Sequence, residues 1–162
     1  MVSTSRPSLP SRRHQNLQLD QQLCFALYSA THAMTRSYKQ VLAAVGLTYP
    51  QYLVMLVLWE QDGLAISEIA IALGLDTASV TPLVRRLEAA DLLKRVGVPG
   101  DNRVSSMKVQ PKGWAIQQSV ADIQKAIACR TGLDDAEFDR LKASLLAVAA
   151  RMNQAPESGA QR

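Results

Sequence analysis

Two cysteines, Cys24 and Cys129, and two tyrosines, Tyr38 and Tyr49, are the side chains of this 162-residue chain whose types and spacing could carry chemistry. A helix is predicted to begin near Asp20. Cys24 then falls in its first turn or two, where the positive end of the helix dipole favours a thiolate. Tyr38 follows Cys24 by fourteen residues, two heptads along roughly the same face, and Tyr49 opens the next helix. Fourteen helical residues span about 21 Å. Tyr38 therefore cannot touch the Cys24 of its own chain while that helix stays straight. It could do so across a two-fold axis, with the first helices of two subunits antiparallel. The plainer alternative makes both thiols small core hydrophobes, Cys24 beside Leu23 and Phe25, and Cys129 in the alanine-rich run KAIACR.

Little else in the chain resembles a reaction centre. Two distant cysteines make neither a disulfide scaffold nor a zinc ribbon, and no CxxC occurs, so neither metal nor cofactor is expected. The two histidines are His14 and His32, and no catalytic triad, paired carboxylate site or glycine-rich phosphate loop stands out. An enzyme is not expected. A 48% hydrophobic share with 20% charged residues suits a packed core, and two Trp, four Tyr and two Phe are too few for an aromatic-rich β-sandwich. The opening MVSTSRPSLPSRRHQN has no apolar core for a signal peptide, and the longest apolar run, Tyr52 to Trp59, is far short of a bilayer span. The expectation is a cytoplasmic protein with reduced thiols.

The elements that must position these groups follow from periodicity. Residues 1–18, rich in Ser, Pro and Arg, and residues 155–162 read as mobile ends. From Asp20 to about Val45, Leu23, Leu27, Ala30, Met34, Tyr38, Val41 and Val45 recur every three or four residues, which is one long helix ended near Gly46. Thr48 caps a second, buried helix to about Gln61, with Pro50 in its first turn. Ser67 is read as the cap of a short helix, Glu68 to Leu73, and Asp76 as the cap of another, Thr77 to Ala90. Pro99-Gly100-Asp101-Asn102, between β-compatible runs, signals a hairpin. Helix returns from Pro111 to about Arg130 and again from Asp134 to Met152. The fold class is mainly α, a winged helix-turn-helix with a small β-hairpin wing, flanked by helices from both ends of the chain.

Within the fourth helix, Val80, Leu83, Val84 and Leu87 form a core face, leaving Thr77, Ser79, Thr81, Pro82, Arg85 and Arg86 outside. The net charge of +4 concentrates there. Between Thr77 and Gly113 the bases Arg85, Arg86, Lys94, Arg95, Arg103, Lys108 and Lys112 face only Glu88, Asp91 and Asp101. Clustered cations neutralise phosphates, and arginines on a groove-sized helix read base edges. Hydroxyls and free N–H groups at the helix start suit phosphates. Double-stranded DNA is the expected partner. Pro82 removes one hydrogen bond, to the carbonyl of Ala78, which is tolerable if that carbonyl faces solvent or DNA.

The segment ISEIAIALGLDTASVTPLVRRLEAADLLKR, with the wing tip Asp101-Asn102-Arg103 and QPKGW, resembles the MarR family of winged-helix regulators over about Leu19 to Met152. LCFALYSA and TPLVRRLE are similar to its organic hydroperoxide resistance regulators, which carry the same TPL. Asn102 in the wing tip, and QPKG where LTxxG is common, are departures that bear on single wing contacts. The resemblance implies one domain over residues 19–154, with a winged helix-turn-helix at about 49–110 and dimerisation helices at about 19–46 and 111–153. It implies a homodimeric repressor on a pseudo-palindromic operator, with Arg103 in the minor groove and Asp101 steadying it. It also implies that Tyr38 and Tyr49 hydrogen-bond Cys24 across the dimer. Organic hydroperoxides would oxidise Cys24, Cys129 would resolve the product as an inter-subunit disulfide, and the operator would be released. Alternative readings are a repressor released by a phenolic or aromatic ligand, a thiol peroxidase, and a helical interaction module that binds no DNA.

Overall fold

A computed structural model describes residues 17–98 and 101–154, except the side chains of residues 98 and 101–104. The expected mobile ends therefore lie outside the described residues, apart from residues 17 and 18. So do Pro99, Gly100 and the side chains of Asp101 and Arg103.

The helices are α1 (Leu23–Leu42), α2 (Tyr49–Glu60), α3 (Ile66–Leu73), α4 (Thr77–Ala89), α5 (Pro111–Ala115), α6 (Gln117–Arg130) and α7 (Asp135–Gln154). The strands are β1 (Leu64–Ala65), β2 (Leu93–Val98) and β3 (Asp101–Val109), antiparallel in the order β1-β3-β2. This is the mainly helical, winged helix-turn-helix class read from the sequence. The chain forms two compact units that divide between Val120 and Ala121. No single helix among the described residues is long and apolar enough to cross a membrane.

The core of the first unit is where the helical periodicity placed it. Met55 and Leu58 of α2, Ile69 of α3, Val80, Val84 and Leu87 of α4 and Met107 of β3 are fully buried. Burying a side chain of this size is worth about 1.5–3 kcal/mol, so these residues fix α4 against α2 and turn its opposite face outwards. The Asp76 carboxylate accepts the Ser79 N–H at 2.6 Å, the expected cap. Pro82 leaves α4 unbroken.

Several boundaries differ from the sequence reading. The first helix is preceded by a 3-10 turn at Leu19–Gln21 and followed by another at Ala43–Val45, which ends at Gly46 with φ +70°. Ser67 does not cap α3. Ala65 pairs with Ser106 of β3 and passes straight into the helix, and its N–H donates to Glu68 Oε2 at 2.7 Å, so Ser67 lies in the first turn. Asp134 precedes α7 as its cap; it accepts the Glu137 N–H at 2.7 Å, while Glu137 accepts the Asp134 N–H at 3.0 Å. The helix expected over Pro111 to Arg130 is broken at Ile116. A continuous helix would offer the Gly113 carbonyl to the Gln117 N–H; here it accepts from Trp59 Nε1 at 3.1 Å.

Candidate redox centre and nucleic-acid interface

Cys24 is the second residue of α1, and its thiol is free and exposed. Leu23, Phe25 and Tyr28 around it are exposed as well. The stripe that begins α1 is thus uncovered at its start and buried only towards its end, at Tyr38 and Leu42. Cys129, next to last in α6, is likewise free and exposed. Within the single chain neither sulfur packs into a core.

Tyr38 sits at the other end of α1, where the chain turns into α2. Its ring lies 5.1 Å from that of Tyr49 and 5.3 Å from that of Tyr52, and Tyr49 and Tyr52 are 5.9 Å apart. The fold brings Tyr38 and Tyr49 together without bringing either to the Cys24 of the same chain, which lies fourteen residues back along α1, about 21 Å by helical rise. Tyr52 is the member that sequence reasoning passed over. Its spacing from Tyr49, three residues on one helix, was the available signal. Burial raises the Tyr49 and Tyr52 phenols above the ordinary value, and the neighbouring Tyr38 raises them further. Both are therefore neutral, proton-bearing groups at physiological pH.

On α4, Thr77, Ser79, Pro82, Arg85 and Arg86 are exposed and Thr81 is half-buried. The Thr81 hydroxyl donates to the Thr77 carbonyl at 2.7 Å, one turn back, so its lone pairs remain to accept. Backbone and side-chain hydrogen bonds from Ser79 hold the Asp76 carboxyl below the usual carboxylate range.

The cations around this face divide into two groups. Arg85, Arg86 and Lys94 are exposed and form no ion pair among the described residues. Arg95 approaches Glu88 at 3.6 Å and donates to Ser105 Oγ at 3.2 Å. Lys108 lies 3.5 Å from Asp62, whose other oxygen accepts the Val109 N–H at 2.9 Å. Lys112 donates to the Ala90 carbonyl at 2.8 Å. Net charge counted along the sequence hides this division, because the partners come from other elements.

Comparison with known proteins places this arrangement in a family. The profile of the MarR family matches residues 47–105. The HTH-type transcriptional regulator TtmR of Methylorubrum extorquens (strain PA1) is 41% identical over 134 residues, 82% of this chain and 69% of that one. The organic hydroperoxide resistance transcriptional regulator of Bacillus subtilis (strain 168) is 30% identical over 142 residues, 88% of this chain and 97% of that one. Among solved structures, reduced AbfR bound to DNA superposes with a TM-score of 0.72 at 27% identity, covering 87% of this chain and 96% of that one. The disulfide-formed state of AbfR, a protein of Staphylococcus epidermidis, gives 0.60 at the same identity, covering 87% and 94%. The chain belongs to the MarR family and is a transcriptional regulator of that type.

Proposed function

We propose that the protein is a dimeric repressor that leaves its operator when an organic hydroperoxide oxidises Cys24. The observation that carries this reading is the pairing of an exposed thiol at one end of α1 with a cluster of phenols, Tyr38, Tyr49 and Tyr52, at the other. The length of α1 keeps them apart within one chain. Two antiparallel copies of α1 would set each Cys24 against the phenols of the other subunit.

A second subunit also accounts for apolar surface. Leu23, Phe25, Tyr28 and Met34 stand exposed on α1, and Phe138, Leu141 and Leu145 stand exposed at helical spacing on α7. Apolar rows of this kind favour self-association. A homodimer presents two copies of α4 to half-sites about 10 bp apart, hence a pseudo-palindromic operator. Thr77, Ser79, Thr81, Pro82, Arg85 and Arg86 would make the groove and phosphate contacts, and Asp101 and Arg103 would contribute from the wing. Residues 19–154 would act as one domain, with the helices at both ends of the chain forming the dimer.

The chemistry balances without a cofactor. The Cys24 thiolate attacks the outer oxygen of ROOH, the O–O bond breaks, and a proton completes ROH, leaving a sulfenic acid. A phenol from the other subunit donates to the sulfur and then to the new oxygen. The Cys129 thiol of one subunit attacks the sulfenic sulfur of the other, expelling water and forming the disulfide. Closing that bond displaces the phenols and turns the two winged units away from operator spacing. Leu23 and Phe25 beside the thiol favour apolar hydroperoxides over hydrogen peroxide. The relationship to an organic hydroperoxide resistance regulator supports the same inducer.

The test is a non-reducing gel after cumene hydroperoxide, beside an operator shift. A covalent dimer that needs both Cys24 and Cys129 and appears together with loss of the shift is expected. Loss of the shift without such a dimer refutes the disulfide step.

A second reading, release by a non-covalent aromatic ligand, has one observation in its favour. A cleft on α1 is lined by Tyr28, Ser29, His32, Ala33 and Arg36, with the Tyr28 and His32 rings 4.2 Å apart. Release by an aromatic acid that persists in Cys24→Ser would select it.

A further inference from the structure

Helix α4 ends without a glycine. Asp91 takes φ +60°, its N–H donates to the Glu88 carbonyl at 3.0 Å, and the Leu92 N–H donates to the Leu87 carbonyl at 3.0 Å. This closure satisfies carbonyls of the last turn and sends the chain into β2. The Ala90 carbonyl finds its donor elsewhere, in Lys112 Nζ at 2.8 Å. Around that bond the start of α5 grips the exit of α4. The Gln110 N–H donates to the Leu92 carbonyl at 2.9 Å, and a Cβ on Gly113 would stand 2.5 Å from the same oxygen. A side chain at Gly113 would force α5 off this seat.

Lys112 is exposed and lies beside a face already read as cationic, so two roles compete for it. As a phosphate ligand it would have to leave the Ala90 carbonyl uncovered. As a cap it makes a charge-assisted hydrogen bond at the negative end of the helix, where an ammonium is favoured. The observed bond is the second of these.

We propose that Lys112 is a positioning residue for operator discrimination, resting on the reading of α4 as the groove helix: its ammonium fixes the exit of α4 and binds no phosphate. Arg85 and Arg86 lie in the last turns before that exit. A small tilt of the helix end moves their guanidiniums off base edges, where paired hydrogen bonds demand fixed geometry. Phosphate binding tolerates the same tilt, because it is largely electrostatic and insensitive to sequence.

The test uses the full-length protein, an operator selected by that protein from a randomised duplex pool, and a scrambled duplex of equal length. Dissociation constants are measured over a salt series for wild type, Lys112→Met, Lys112→Arg and Arg85→Ala/Arg86→Ala. Lys112→Met is expected to weaken operator binding by about threefold to tenfold, with scrambled-duplex affinity and salt slope unchanged, and Lys112→Arg to restore most of the loss. The double arginine variant is expected to flatten the log–log slope by about 0.9 for each phosphate it no longer neutralises. Equal losses on both duplexes with a flatter slope for Lys112→Met would make Lys112 a phosphate ligand and overturn the proposal. A lower melting temperature with an unchanged specificity ratio would make it merely structural and overturn it too. Wild-type binding by the double arginine variant would instead reject the reading of α4 beneath the proposal.

Discussion

Tyr38 and Tyr49 meet ring to ring, 5.1 Å apart, at the corner where α1 turns into α2, and the buried Tyr52 closes the group. Three phenols at one corner pack the end of α1 against the start of α2 in one elbow. A group proposed to hold a sulfur atom in a sister subunit is thereby tied to the helix that packs against α4.

The elbow carries an alkaline signature. The Tyr49 and Tyr52 phenols titrate above their ordinary value of 10.0 because burial and the neighbouring Tyr38 disfavour the phenolate. Their contribution to stability is complete below that value and is lost as pH rises through the raised folded ones. Phenolate absorbance should show Tyr49 and Tyr52 ionising above pH 10, and urea midpoints should fall above pH 10. Tyr52→Phe should reduce that alkaline loss; an unchanged loss would place its origin elsewhere.

At the acid end, Asp76 acts in the opposite sense. Its carboxyl is lowered by hydrogen bonds from Ser79, so the cap of α4 contributes fully above the ordinary aspartate value and fades as pH falls through the lowered folded one. Asp76→Asn keeps an acceptor for the Ser79 N–H and should remove this part of the acid destabilisation while preserving neutral-pH DNA binding. Asp76→Ala should lower both the melting temperature and DNA affinity at neutral pH.

Gly113 should tolerate no side chain. A Cβ there would meet the Leu92 carbonyl at 2.5 Å and Val109 Cγ1 at 2.8 Å. Overpacking of this kind costs about 1–3 kcal/mol. Gly113→Ala should lower the unfolding free energy from urea denaturation by that much and perturb Trp59 fluorescence, because the Trp59 indole donates to the Gly113 carbonyl.

Much of this was legible in the sequence where the cause is local. The α4 core face, the Asp76 cap, the Thr48 start of α2 and the hairpin all follow from residues within a turn or two of one another. Features made by distant partners were not. Strand β1 has two residues, too few to show alternation, and exists because Leu64 and Ala65 pair with Met107 and Ser106. The break at Ile116 follows a carbonyl, that of Gly113, which accepts from an indole more than fifty residues away. Arg95, Lys108 and Lys112 read as free cations along the chain, and only the fold sets Glu88, Asp62 and the Ala90 carbonyl beside them. Tyr52 was hidden inside an apolar run that reads as core, which it also is.

The oxidation of Cys24 can be read directly in the Cys129→Ser protein, where no resolving thiol competes. One equivalent of cumene hydroperoxide followed by dimedone should place the sulfenate adduct on Cys24, and Tyr38→Phe/Tyr49→Phe should slow its formation. Unmodified Cys24 under conditions that release wild-type protein from its operator would contradict the account.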